Sequence, residues 1–315
     1  MSLFHQNSSE SIHSGLDLFS LWPTQTSVEN GDYVEYRPLG SIESSTAIEF
    51  FINNKQSEEY IDLSNTFLHV KAKIINATGE NLTDNQPIAP VNNFLHSLFS
   101  QIDISFNDTL VTPSENTYAY RSYIEKLLNY DRTAKKTQLS SEGYYRDSSG
   151  FFEDKKLDGK NSGFKIRGKL CANSSVLDMM GKLHCDVMNM GRYLLNGVDM
   201  KIRLLTTPER FHLLDDTYNV SYKTKIENIS LYVRKVKLNP VVSLTHHKML
   251  ENQTAKYPLK RVTIKSFSVP SGNLSITKDN LFLSQLPTRI IVGCVASEAF
   301  NGSYKKTLLT FPTLT

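Results

Sequence analysis

Apolar residues at every second position constrain this chain more than any other feature. Val198, Met200, Ile202 and Leu204 share one face, while Asp199, Lys201 and Arg203 take the other. A period of two marks strands buried on one side only, which is the condition of antiparallel sheets. The same alternation runs through Leu68, Val70, Ala72 and Ile74, through Ile102, Ile104 and Phe106, and through Ile229, Leu231 and Val233. After Arg234-Lys235 the last pattern resumes out of phase at Val236 and Leu238, which predicts a bulge. Val262 and Ile264 shift phase in the same way before Phe267 and Val269, and Arg289 to Val295 reads as a further strand. Asn196-Gly197, set between Tyr193-Leu194-Leu195 and Val198, predicts a tight hairpin joining two antiparallel strands. Bulged strands curve, and curved strands build sandwiches or barrels.

Against this background one helix stands out. Tyr120, Tyr123, Ile124, Leu127 and Leu128 fall at helical spacing after the possible caps Ser114 and Asn116, and the tyrosines, with Tyr118 and Tyr130, read first as a packing stripe. The helix is expected outside the sheets. Residues 131–163 are polar and read as a long surface excursion. No apolar run approaches the ~20 residues that span a bilayer, and MSLFHQNSSESIHS lacks a secretory pattern, so a soluble chain without anchor or signal is expected. In that setting the ten Asn-x-Ser/Thr triplets reflect composition rather than glycosylation. Residues 1–200 carry 18 Lys+Arg against 25 Asp+Glu, and residues 201–315 carry 17 against 7. The basic residues alternate with apolar ones, as on solvated strand faces.

Catalytic chemistry finds no anchor. Cys171, Cys185 and Cys294 have no CxxC spacing, which excludes a zinc ribbon and a disulfide framework and points to a reducing, intracellular setting. His246-His247, read as strand neighbours, point to opposite faces and do not converge on a metal. His184-Cys185-Asp186 reads as a structural strand segment, because consecutive residues rarely converge as nucleophile and base. Asp215-Asp216, beside Thr217 and Asn219, reads as a turn. Nucleophile elbows, phosphate loops and HExxH are lacking. No catalytic, cofactor-binding or metal residue is expected, and the chain is not read as an enzyme.

Longer blocks carry a resemblance. LDLFS (16–20), PTQTS (23–27), YIDLSNT (60–66), APVNNFLHSLFSQIDISFND (89–108), NTYAYRSYIEKLLNY (116–130), AKKTQLS (134–140), LLNGVDMKIRLL (194–205), AKYPLKRV (255–262), DNLFLSQLP (279–287) and FNGSY (300–304) resemble the major capsid (hexon-like) proteins of adintoviruses and related Polinton/Maverick elements. The resemblance implies an all-β double jelly-roll, two antiparallel sandwiches in one chain, with three chains in a pseudo-hexagonal capsomer. Here it implies an N-terminal arm at 1–46, a complete first jelly roll at 47–240, and a linker with a truncated second jelly roll at 241–315. The function implied is structural: a subunit self-assembling into homotrimers and neighbouring capsomers of an icosahedral DNA virus or virus-like transposon. Penton or minor capsid proteins are the further partners, and packaged double-stranded DNA is met at most indirectly. The location implied is the virion, assembled inside the host cell. The alternative is an endogenous viral fragment retained by a host as a non-enzymatic binding module, or without function.

Overall fold

The computed structural model describes residues 13–306 apart from 20, 22–23, 43–46, 56–57, 84–85, 217–220, 274 and 283–285. Its strands are β1 (Val28–Tyr36), β2 (Ala47–Ile52), β3 (Tyr60–Asn76), β4 (Ile88–Pro90), β5 (Phe99–Phe106), β6 (Thr109–Leu110), β7 (Leu177–Lys182), β8 (Met200–Thr206), β9 (Leu213–Asp215) and β10 (Tyr222–Leu238). Its α-helices are α1 (Phe94–Ser97), α2 (Tyr118–Asn129), α3 (Arg132–Lys136), α4 (Ser162–Leu170), α5 (Glu209–His212), α6 (Pro240–Leu250) and α7 (Ser297–Phe300).

Two four-stranded antiparallel sheets carry the fold, in the orders β1-β10-β3-β7 and β2-β8-β5-β6, with β4 and β9 forming a small separate ribbon. Setting the ribbon aside leaves eight strands in which first pairs with last, last with third and third with sixth, while the second sheet runs second, seventh, fourth, fifth. This is the jelly-roll order, two Greek keys wrapped into a sandwich. The chain is all-β in its architecture, and the sandwich closes at Leu238.

The alternating residues face inward as the period requires. Leu68, Val70, Ala72 and Ile74 of β3 and Ile229, Leu231 and Val233 of β10 are buried against Phe50 and Ile52 of β2, Ile102 and Ile104 of β5, and Met200, Ile202 and Leu204 of β8. The bulge expected near Arg234 is present: Tyr232 faces Phe67, but Arg234 faces Asp62, so β3 bows out over residues 63–66. Asp62 organises the bow by accepting from Ser64 Oγ (2.7 Å), Asn65 Nδ2 (2.8 Å) and Arg234 Nη1 (2.8 Å). Burial pushes its carboxyl up, but those three donors outweigh it and hold the pKa below the usual range. Asn107 and Asp108 both adopt positive φ, which builds the tight turn between β5 and β6.

Several expectations are corrected. β1 lies inside the segment expected to be an arm at 1–46; it is exposed along most of its length, so no buried alternation betrayed it. The Asn196-Gly197 hairpin does not form, because Leu194 bridges Ile61 in one sheet while β8 pairs with β2 and β5 in the other. Gly197, at φ +80°, instead turns the chain between sheets. α2 is not alone: α4 and α6 are helices of 9 and 11 residues. Each starts at an asparagine that accepts from the first turn, Asn161 from Phe164 N and Asn239 from Val241 N, and Pro240 opens α6. The polar stretch 131–163 is no free excursion, since Leu139 and Tyr144 bury beside α2 and Arg167 of α4 clamps Pro90 O, Tyr145 O and the Asp147 carboxylate.

The strands expected at Val262–Val269 and Arg289–Val295 are also absent: no strand lies beyond Leu238 among the described residues. Part of the first stretch is bonded otherwise. Val262 N donates to Asp186 Oδ1 and Ile264 N to Glu115 Oε2, each at 3.2 Å, so side chains of the sandwich take the place of a neighbouring strand.

Candidate functional site

Two regions have unusual chemistry or exposure. The first is a buried polar cluster beneath α2. This helix turns Tyr118, Tyr120, Tyr123 and Lys126 inward and leaves Leu127 and Leu128 exposed, an inversion of the apolar stripe for its last turn. Lys126 pairs with Glu142 from the 3₁₀ turn Gln138–Glu142; Glu142 also bonds His96 of α1, whose ring meets that of His184 from the loop after β7.

Hydrogen bonds define the protonation of this cluster. His96 Nε2 lies 3.2 Å from Glu142 Oε2 and its Nδ1 lies 2.8 Å from Tyr118 Oη. Burial, with the Lys126 charge beside it, pushes the His96 pKa down to about 3, so the contact to Glu142 is a neutral imidazole N–H donating to a carboxylate. Glu142 itself is held at about 2: burial works against its charge, but His96 and Lys126 outweigh it. Lys126 Nζ donates to both Glu142 Oε2 and Asn93 Oδ1, and burial lowers its pKa to about 8. His184 Nδ1 sits 2.7 Å from Glu125 Oε2, and Arg121 bridges Glu125 (2.9 Å) to Asp186 (2.6 Å). The ligand-bearing atoms of His96, Glu142 and His184 lie within 4.8 Å of one another.

The residues singled out from the sequence fall in different places. His184-Cys185-Asp186 is buried but not a strand; its three side chains diverge, His184 to Glu125 and Asp186 to Arg121, and burial pushes the Cys185 thiol up to about 12. His246-His247 lie on α6 rather than on a strand, because the asparagine cap and Pro240 start a helix; His246 Nδ1 pairs with Tyr60 Oη at 3.0 Å and His247 bonds its own helix at Ser243 O. Asp215 is a buried residue of β9 rather than part of a turn, and Asp216 follows it exposed. Thr217 lies outside the described residues, as does Asn219. Tyr118, Tyr120 and Tyr123 pack as the stripe requires. His96 and Glu142 were missed, since each is ordinary in its local sequence and only folding brings it to His184.

The second region is the chain after β10. Helix α6 leaves Val241 72% and Leu244 59% exposed, and the extended stretch beyond it exposes Phe267, Val269, Ile276, Ile290 and Val292. This segment is anchored at intervals. Tyr257 Oη accepts from Leu195 N and donates to Tyr193 O; Phe300 stacks on Tyr120 with ring centroids 5.6 Å apart; Asp215 N donates to Tyr304 O. Gly302, at φ +88°, brings that last turn against Arg210, where a Cβ would lie 3.0 Å from Arg210 Cγ. Between anchors, apolar side chains face outward from backbone that joins no sheet among the described residues.

No family model matches the sequence. An uncharacterized protein of Caenorhabditis elegans is 27% identical over 304 residues, covering 91% of this chain and 68% of its own length. Among solved structures, a chain of the Sputnik virophage is similar at TM-score 0.48 and 14% identity, over 74% of this chain and 53% of the other. The Faustovirus major capsid protein follows at TM-score 0.45 and 10% identity, over 74% and 58%. The mavirus major capsid protein stands at 0.36 and 10%, over 75% and 53%. The chain thus spans little more than half the length of these solved proteins. No helix among the described residues is long and apolar enough to cross a membrane.

Proposed function

We propose that this chain is a structural subunit of a viral shell, of the double jelly-roll major capsid type, acting by self-association rather than catalysis. One observation carries the reading: a jelly roll is followed by a basic segment that is pinned to it at intervals and leaves Val241, Leu244, Phe267, Val269, Ile290 and Val292 exposed. Exposed apolar surface of this kind marks a site of association, which a shell subunit needs against its neighbours. The blocks that resemble adintovirus and Polinton/Maverick capsid proteins support it, because they coincide with structural devices: YIDLSNT forms the Asp62 bow, NTYAYRSYIEKLLNY forms α2, and FNGSY forms the Gly302 turn.

In this reading residues 47–240, preceded by β1, form the first jelly roll, and 241–315 form the linker and opening part of a second. The extended stretches at 262–269 and 289–295 become strands when neighbouring chains supply partners. Three chains build a capsomer, further capsomers and minor capsid proteins surround it, and the protein resides in the virion. Electron microscopy of the purified chain tests this. Three-fold particles or shell-like assemblies are expected; dispersed single sandwiches, or a salt-sensitive coat on double-stranded DNA, would contradict it.

A further inference from the structure

The cluster beneath α2 has the parts of a metal site. Two imidazoles and one carboxylate, a donor set suited to Zn²⁺, come from three segments far apart in sequence. His96 Nε2 and Glu142 Oε2, 3.2 Å apart, stand at the spacing of two ligands on one ion, and the His184 ring meets His96 edge-on at 4.8 Å between centroids. Each imidazole also has an outer partner on its Nδ1. Glu125 accepts from His184 Nδ1–H, which leaves Nε2 as the ring atom available to an ion; Tyr118 Oη holds His96 Nδ1 and can either donate or accept there. Carboxylate or hydroxyl partners behind both histidines are the arrangement that orients ligands in metal centres.

We propose that His96 Nε2, His184 Nε2 and the Glu142 carboxylate bind a divalent transition-metal ion of the Zn²⁺ class. On binding, the His96 proton moves from Nε2 to Nδ1, where Tyr118 Oη accepts it, so no proton is gained or lost at that ring. Lys126 is the competing cation. It releases Glu142 to the metal and keeps Asn93 Oδ1 as its partner. The ion ties α1, the turn ending at Glu142 and the loop after β7 into one unit, so metal supply sets the rigidity of this end of the sandwich.

The test uses the full chain, stripped with chelator and titrated with Zn²⁺ or Co²⁺. One equivalent per chain, a Tm that climbs with metal concentration, and visible bands of four-coordinate Co²⁺ are expected. His184→Gln, whose amide can still donate to Glu125, is expected to weaken binding at least ten-fold, and Lys126→Met to tighten it by about the same factor. A His246→Gln/His247→Gln double variant controls for adventitious surface binding and is expected to bind as wild type. Absence of uptake by the wild type overturns the proposal, and so does uptake abolished by the His246/His247 variant. Binding seen only after Lys126→Met also overturns it, by making the lysine the resident cation. Should His184→Gln fail to fold, the wild-type Co²⁺ spectrum decides alone, and six-coordinate bands refute the site.

Discussion

Acid should destabilise this sandwich in part through His212, at the end of α5. The side chain is 3% exposed, with Nδ1 2.8 Å from Thr207 Oγ1 and Nε2 2.8 Å from Thr224 Oγ1. Thr207 donates its own hydroxyl hydrogen to Ser97 O at 2.7 Å, so its oxygen accepts from His212 Nδ1–H, and Nε2 accepts from Thr224. Both nitrogens are satisfied by the neutral ring, and no carboxylate pairs with it among these contacts. Burial lowers its pKa to about 3. In the unfolded chain the same imidazole titrates near ~6.5. Between those values the unfolded state binds a proton that the folded state refuses, so stability falls as pH falls through the window. Each pH unit below the unfolded value costs about 1.4 kcal/mol, which gives roughly 2 kcal/mol at pH 5. Urea unfolding at pH 7.5 and pH 5, with chelator present, should show the wild type losing about 2 kcal/mol more than His212→Gln. Equal losses in both proteins, or a folded-state NMR titration of His212 near neutral pH, would refute the reasoning.

Three further outcomes follow from the packing. Phe50→Ala opens a hole between the two sheets, where Phe50 is fully buried, and should cost about 3–5 kcal/mol by denaturant unfolding; a loss under ~1 kcal/mol would mean the sheets do not pack as described. Asp62→Ala leaves Arg234 without its carboxylate and frees the bow at 63–66, with an expected loss of about 2–3 kcal/mol that Asp62→Asn restores only in part. Gly302→Ala places a Cβ against Arg210 at positive φ, so hydrogen exchange should quicken across 297–304 while β3 and β10 keep their protection; uniform protection would argue against that anchor.

Legibility of the fold followed burial. β3, β5, β8 and β10 announced themselves because each buries one face, and even the phase slip at Arg234 was readable as a bulge. β1 was invisible because a strand exposed along most of its length leaves no alternation, although it completes the jelly-roll order. The Asn196-Gly197 signal was local and true as a turn, but tertiary pairing of Leu194 with Ile61 decided which strands met. Asn161 and Asn239-Pro240 are the sequence signals of α4 and α6, whose apolar period is weak. Val262–Val269 shows the opposite failure, a strong strand pattern that joins no strand among the described residues and lies extended instead. Of the polar cluster only His184 drew notice in the sequence: Lys126 looks like a solvated helix residue, and only packing inverts the last turn of α2 to bury it.

The proposed assembly of this jelly roll through the apolar residues exposed after β10 is read out by light scattering over a concentration series. Wild type should be compared with a Val241→Asp/Leu244→Asp/Val292→Asp variant, whose changes fall on exposed positions and leave the sandwich core untouched. The expected mass rises with concentration through a three-chain species in the wild type and stays at one chain in the variant. A wild type that remains monomeric throughout, or a variant that associates equally well, would contradict it.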